Sequence, residues 1–149
     1  SDDKGSFDTR LPMVRVAMKM IAANPWLGVG IGNYREWLPR YGDSDNPFTL
    51  VQKVHNLYLL LAAEMGLCAL LIFLGILLVA FGTCWKLARE APLQSAMTVI
   101  GIAGGLLAFA IHSMVDYVEL GRLPILWCCF GMLLAIKTQS QKETSNLIV

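Results

Sequence analysis

Residues 57–84 form an apolar run broken by a single charge, Glu64, and no other stretch constrains the fold as strongly. A helix needs about 20 such residues to cross the roughly 30 Å hydrocarbon layer at 1.5 Å per residue, so this run spans a bilayer with residues left over. Two more runs follow: about residues 96–115, with His112 near the end, and a shorter one at about 120–136 that contains Arg122. Apolar residues make up 56% of the chain and charged ones 15%, a balance suited to membrane helices. The expected fold is an all-α integral membrane protein. Residues 1–54 would form an extracytoplasmic loop, residues 55–137 three transmembrane helices, and residues 138–149 a cytoplasmic tail. The chain opens on Ser1-Asp2-Asp3 with no signal peptide ahead of the spans, and reads as the C-terminal part of a longer multi-pass protein.

A net charge of +1 argues against nucleic acid as a partner; in a membrane protein the placement of charge says more. Lys86 and Arg89 outweigh Glu90 in one loop, and Lys137 and Lys142 outweigh Glu143 in the tail, so both are expected in the cytoplasm. Asp116 and Glu119 against Arg122 suit the opposite side, which also places the N-terminal loop outside. That loop carries lysines and arginines of its own, but long loops translocate largely regardless of charge. Cys68, Cys84, Cys128 and Cys129 lie within or at the end of the expected spans without metal-ligand spacing, and read as small apolar residues.

The outer loop begins with a polar stretch to Thr9, after which Pro12 to Asn24 fits a helix. Pro12 suits its first position, and the Asn24-Pro25 step ends it because a residue before proline avoids helical torsions. Met13, Val16, Ala17, Met20 and Ile21 share one face, with Arg15 and Lys19 on another. Such an amphipathic helix can lie on the bilayer surface or pack on its own protein. Next come Gly28, Gly30 and Gly32. They are no dinucleotide fingerprint, since Asn33 stands where a third glycine is needed and no strand precedes them. They imply a tight backbone path, one that would let amides approach a ligand. Tyr34, Arg35, Trp37, Arg40 and Tyr41 follow, able either to hold sugars and phosphates or to anchor the loop at the interface. Asp43 and Asp45 belong to a solvated turn with too few ligands for calcium.

His55 precedes the first span. With hydrocarbon starting near Met65, its imidazole stands about 14 Å above the apolar layer on a continuous helix. On a 100° wheel Ala62, Gly66 and Ala69 fall within about 40° of His55, a stripe of small residues that invites close approach by another helix. Docking through Gly66 and Ala69 would fix His55 and Asn56 over a site. A neutral imidazole can take a proton from a hydroxyl; an interfacial histidine with no chemical role is the plainer alternative. Glu64 is turned about 180° from His55 on the wheel and suits a structural ion pair with another helix. His112 and Asp116, four apart, could pair beside the site, although interfacial placement of both is the plainer expectation. Gly101, Gly104, Gly105 and Ala108 give the second span its own close-packing surface.

Arg10, the run Pro25-Trp26-Leu27-Gly28-Val29-Gly30, Gly32-Asn33-Tyr34, and His55-Asn56 followed by nine residues and Gly66 together resemble the C-terminal half of the O-antigen ligase and O-antigen polymerase superfamily. The family's ligase signature is His, then Asn, Ser or Gln, nine residues, Gly, two residues, and Gly, Thr or Tyr. Ala69 departs from it at the last position, and Val14 stands where members often carry tryptophan. The resemblance implies a multi-span glycosyltransferase at the outer face of the cytoplasmic membrane that needs no metal ion or other cofactor. Its donor would be an undecaprenyl-diphosphate-linked glycan and its acceptor a hydroxyl of a glycan, lipid or protein. By the same resemblance Arg10 would bind the diphosphate and His55 would activate the acceptor. Asn56 beside the histidine, and Arg15, Arg35 and Arg40 as further guanidinium groups, are additional substrate-binding candidates. The reaction would be ligation or, alternatively, polymerisation in lipopolysaccharide or exopolysaccharide assembly. A transporter fragment with Glu64, His112 and Asp116 along an ion path is the rival of a different class, and a non-catalytic assembly subunit is a third.

Overall fold

The computed structural model describes residues 3–116 and 124–146, and every long element among them is helical. Helix α1 is Asp3–Ala23, α2 is Tyr34–Tyr41, a 3-10 turn covers Pro47–Leu50, and α3, α4 and α5 are Leu57–Glu90, Leu93–His112 and Pro124–Asn146. The chain divides into two compact units: the first holds the chain up to Phe73 and the segment from His112, the second Leu74–Ile111 and α5.

Both α3 and α4 are long and apolar enough to cross a membrane. Of the third expected span, about 120–136, the described part from Pro124 is helical. Among the described residues its apolar part is Leu126–Gln139, which rises about 21 Å. The helix itself continues to Asn146, through most of the segment expected to be a tail. Glu119 and residues 120–123, including Arg122, lie outside the described residues.

Helix α1 starts well before Pro12, so the polar lead-in is helical from Asp3 and the proline lies inside the helix instead of opening it. A proline removes one backbone donor, a loss that burial further along the helix offsets. Met13, Val16, Ala17 and Met20 are all buried, in one cluster with Val29, Tyr34, Leu38, Val54, Leu60 and Ala63. The apolar face of α1 is thus used by the protein's own core and not by a bilayer surface. Arg15 and Lys19 stay exposed.

Helix α3 is interrupted. Gly66 has φ 84° and ψ 172°, so a short helix from Leu57 ends there and a second, longer one begins. The position is open essentially to glycine alone, because any Cβ would clash with the residue's own backbone. This corrects the expectation that Gly66 and Ala69 lie on one stripe beneath His55 and dock a neighbouring helix. It also removes the 14 Å height, which assumed a continuous axis. The glycine's close neighbour is the loop after α1: a Cβ on Gly66 would collide with the Trp26 carbonyl, and one on Gly28 with the backbone of Glu64.

Backbone hydrogen bonds hold the two segments together. Leu67 N–H donates to Pro25 O at 2.7 Å, Val29 N–H to Ala63 O at 2.8 Å and Gly30 N–H to Glu64 O at 2.9 Å. Gly28, Gly30 and Gly32 all have positive φ, which lets the loop turn tightly enough to make these bonds. The amides that the sequence offers to a ligand are therefore spent within the protein: Gly28 N–H donates to Asn24 O, and Val29, Gly30 and Gly32 donate to α3. The Glu64 carboxylate completes the joint. It accepts from Gly32 N–H at 3.1 Å and Tyr34 N–H at 3.4 Å, satisfying donors where α2 begins, and pairs with Lys53 Nζ at 3.1 Å. Glu64 does form a structural ion pair, but with the loop before α3 instead of another helix.

Tyr34 fills the centre of this joint with no exposed surface, and its buried hydroxyl has no hydrogen-bond partner among the described residues. Burial, aided by the Glu64 charge and opposed by the Val54 backbone, pushes its pKa well above the usual 10.0. The native state therefore holds the phenolic proton more tightly than the unfolded chain, and this contribution to stability is present below pH 10 and lost as pH rises further. Tyr34→Phe removes an unsatisfied hydroxyl at almost constant volume and is expected to raise stability by about 1 kcal/mol. Thermal unfolding in detergent checks this, and destabilisation would mean that the hydroxyl has a partner.

In the second unit Ala80, Cys84, Leu87, Val99, Ile102, Leu106, Leu126 and Leu133 form the core. Gly101, Gly104, Gly105 and Ala108 are exposed, and the three glycines face open space, so the close-packing surface of α4 meets nothing within the described residues.

Candidate functional site

The segment after α4 gathers the polar groups of the first unit. Val115 N–H and Asp116 N–H both donate to His112 O, at 3.0 and 3.1 Å, making a turn at the helix end. The start of α3 is fastened to it: Leu57 N–H donates to Ser113 O at 2.9 Å and Asn56 Nδ2 to Met114 O at 2.9 Å. Asn56 Oδ1 also accepts from Leu59 N–H at 2.9 Å, the geometry of a helix N-cap. Asn56 is thus engaged on both ends of its amide in holding α3 to this turn.

With Asn56 fixed, His55 faces Asp116: Nδ1 lies 3.2 Å from Oδ1, and both side chains remain partly open to solvent. A carboxylate at Nδ1 favours the tautomer protonated there, which leaves the lone pair on Nε2, the arrangement a general base requires. Arg10 reaches the same turn from α1, its Nη1 donating to Val115 O at 3.4 Å, a long bond that leaves most of the guanidinium's donors for other partners. Arg10 and His55 are therefore held by adjacent residues of one turn.

Other residues singled out in the sequence lie elsewhere. Arg15 and Arg35 are exposed on α1 and α2 with no contact that ties them to the turn. Arg40 stacks on its own helix, 5.4 Å from the Trp37 ring centroid and 5.9 Å from that of Tyr41. Gly28, Gly30, Gly32 and Gly66 belong to the backbone joint described above, and Ala69 follows it. Asp116 is the residue that sequence reasoning misplaced. Its carboxylate faces His55 and not His112, which is exposed, so the pairing expected within the second span is replaced by one across 61 residues.

The chain thus has two helices long and apolar enough to cross a membrane, with a histidine–carboxylate pair and an arginine collected where one begins and the other ends. Residues 1–74 match the family described as O-antigen ligase, so the segment that supplies Arg10, His55, Asn56 and Gly66 is a domain of that family. No curated protein and no solved structure is significantly similar to the chain.

Proposed function

We propose that the chain carries the catalytic loop of a membrane glycosyltransferase that moves a glycan from an undecaprenyl-diphosphate-linked donor to an acceptor hydroxyl, on the extracytoplasmic face of the cytoplasmic membrane and without a metal ion. The observation that carries this reading is the contact of His55, which lies in the segment matching the O-antigen ligase family, with Asp116, beside the turn that also binds Arg10. His55 Nε2 takes the proton of the acceptor hydroxyl as its oxygen attacks the anomeric carbon. The bond from that carbon to the diphosphate breaks, and undecaprenyl diphosphate leaves with its electron pair. Arg10 meets the charge that develops on the leaving group, for which a planar guanidinium offers two parallel donors. Asp116 is a positioning residue that steadies the imidazole and its positive charge. A lipid acceptor makes the reaction a ligation and a growing glycan makes it a polymerisation; the chemistry at His55 is common to both.

Placement of the acids supports an enzyme over an ion path. Glu64 is tied to Lys53 and the glycine loop, and Asp116 to His55, so each serves a local contact at the helix ends.

Transfer from a synthetic lipid-linked donor by the purified protein tests the proposal. Arg10→Ala is expected to slow transfer roughly a hundredfold or more, as loss of a donor to developing charge does elsewhere. Arg10→Lys, which keeps the charge but loses the fork, is expected to recover only part of it. Excess chelator should leave wild-type transfer intact. Full activity of Arg10→Ala, or loss of wild-type activity in chelator, would reject the respective assignment.

A further inference from the structure

The glycine loop turns its backbone inward and its largest side chains outward. Trp26, Leu27 and Ile31 are 68%, 85% and 74% exposed, although the peptide groups among them are bonded to α3. Large apolar side chains so displayed on a tightly held backbone mark a contact surface.

The height of this surface along α3 is fixed, because Leu67 N–H donates to Pro25 O at 2.7 Å. At that level the surroundings of the helix change. Before Gly66, the side chains of Leu57, Leu60, Leu61, Ala62 and Ala63 are buried, Leu60 and Ala63 in the core of the first unit. After it, Leu71, Ile72, Leu74, Ile76, Leu78 and Val79 are exposed, an apolar surface suited to hydrocarbon and not to water. At the other end of the helix Trp85 is exposed, with the Arg89 guanidinium 4.2 Å above its ring. An aromatic ring with a basic neighbour is what a membrane helix carries where hydrocarbon gives way to headgroups. From Leu67 to Trp85 the helix rises about 27 Å at 1.5 Å per residue, close to the roughly 30 Å of a bilayer core. At the His55 end of α3 the loop that carries Trp26 is tied to the level of Leu67.

We infer that Trp26, Leu27 and Ile31 form a wedge seated in lipid at the hydrocarbon boundary, continuous with the lipid-facing surface of α3, and that it holds the loop at a fixed depth below His55. The occupant of the surface is bilayer lipid. The inference rests on α3 crossing the membrane and not on the transfer chemistry.

Tryptophan fluorescence of the intact protein tests it, in phosphatidylcholine vesicles with and without bromine on the acyl chains near the glycerol end. Wild type is compared with Trp26→Phe and with Trp85→Phe, conservative changes at exposed positions; the emission each removes is the component of that residue. The Trp26 component is expected to lie at the blue edge and to be largely lost in brominated vesicles, as is the Trp85 component. Quenching of Trp85 but not Trp26 would overturn the wedge while α3 still spans, and would mean that protein or water covers the loop. Quenching of neither would overturn the wedge together with the span, and the transfer assay would still judge the chemistry separately.

Discussion

His55→Ala is expected to cut glycan transfer by roughly a hundred- to ten-thousand-fold, the usual cost of losing a general base, while the protein accumulates normally and the lipid-linked donor builds up. The selectivity of that result follows from position. His55 is partly exposed, and the fastening of α3 to the turn after α4 is made by its neighbours, through Leu57 N–H to Ser113 O and Asn56 to Met114 O. Removing the imidazole takes away the base without opening the joint. His55→Gln is the sharper comparison, since an amide can still bond Asp116 but cannot accept the proton, and it should be as inactive as alanine. Asp116→Asn keeps a polar group 3.2 Å from Nδ1 yet gives up the charge that steadies an imidazolium. Its expected signature is a lower turnover with an unchanged KM for donor, which a residue needed only for folding would not produce. Transfer rates per milligram of folded protein, read beside donor accumulation in cells, check all three. Full transfer by His55→Ala would remove the histidine from the reaction.

The apolar run that becomes α3 and the buried face of α1 are legible in the sequence because both are periodic, and burial of apolar area favours periodic patterns wherever the partner lies. Met13, Val16, Ala17 and Met20 could be named as one face before anything was known of what covers them. What covers them, the core around Tyr34 and Leu38, is a tertiary choice that periodicity does not encode. Gly66 shows the limit more sharply. In a hydropathy window it is one small residue in a helix, and a wheel drawn through it assumes the torsions that it does not have. The signal lay in pairing it with Gly28, Gly30 and Gly32, four glycines whose positive φ values build one backbone joint between segments more than thirty residues apart. Asp116 was hidden for a related reason. Helical spacing ties it to His112, whereas the turn that ends α4 aims its carboxylate at a histidine 61 residues earlier in the chain.

Gly66→Ala is expected to destabilise the first unit by about 3–5 kcal/mol, a large share of the stability of an ordinary domain. Two effects act together. A φ of 84° with ψ of 172° is strained for any residue with a Cβ, and the added methyl would press on the Trp26 carbonyl and the Leu27 nitrogen. Relief would require breaking the Leu67 to Pro25 hydrogen bond, and with it the seat of the glycine loop. Gly75→Ala supplies the control in the same helix: nothing lies within 4 Å of its Cβ and its backbone is helical, so alanine there should be neutral or slightly stabilising. The comparison also separates two mechanical roles for the motif glycine. If Gly66 served only to let a neighbouring helix come close, alanine would be nearly as good and only a large residue such as leucine would disturb it. A glycine required for its torsion fails already at alanine. Thermal unfolding of the purified variants, with limited proteolysis of residues 25–34 as a local readout, decides between them: Gly66→Ala should melt far below Gly75→Ala and be cut in the loop, and equal behaviour of the two would show that the break in α3 does not depend on this residue.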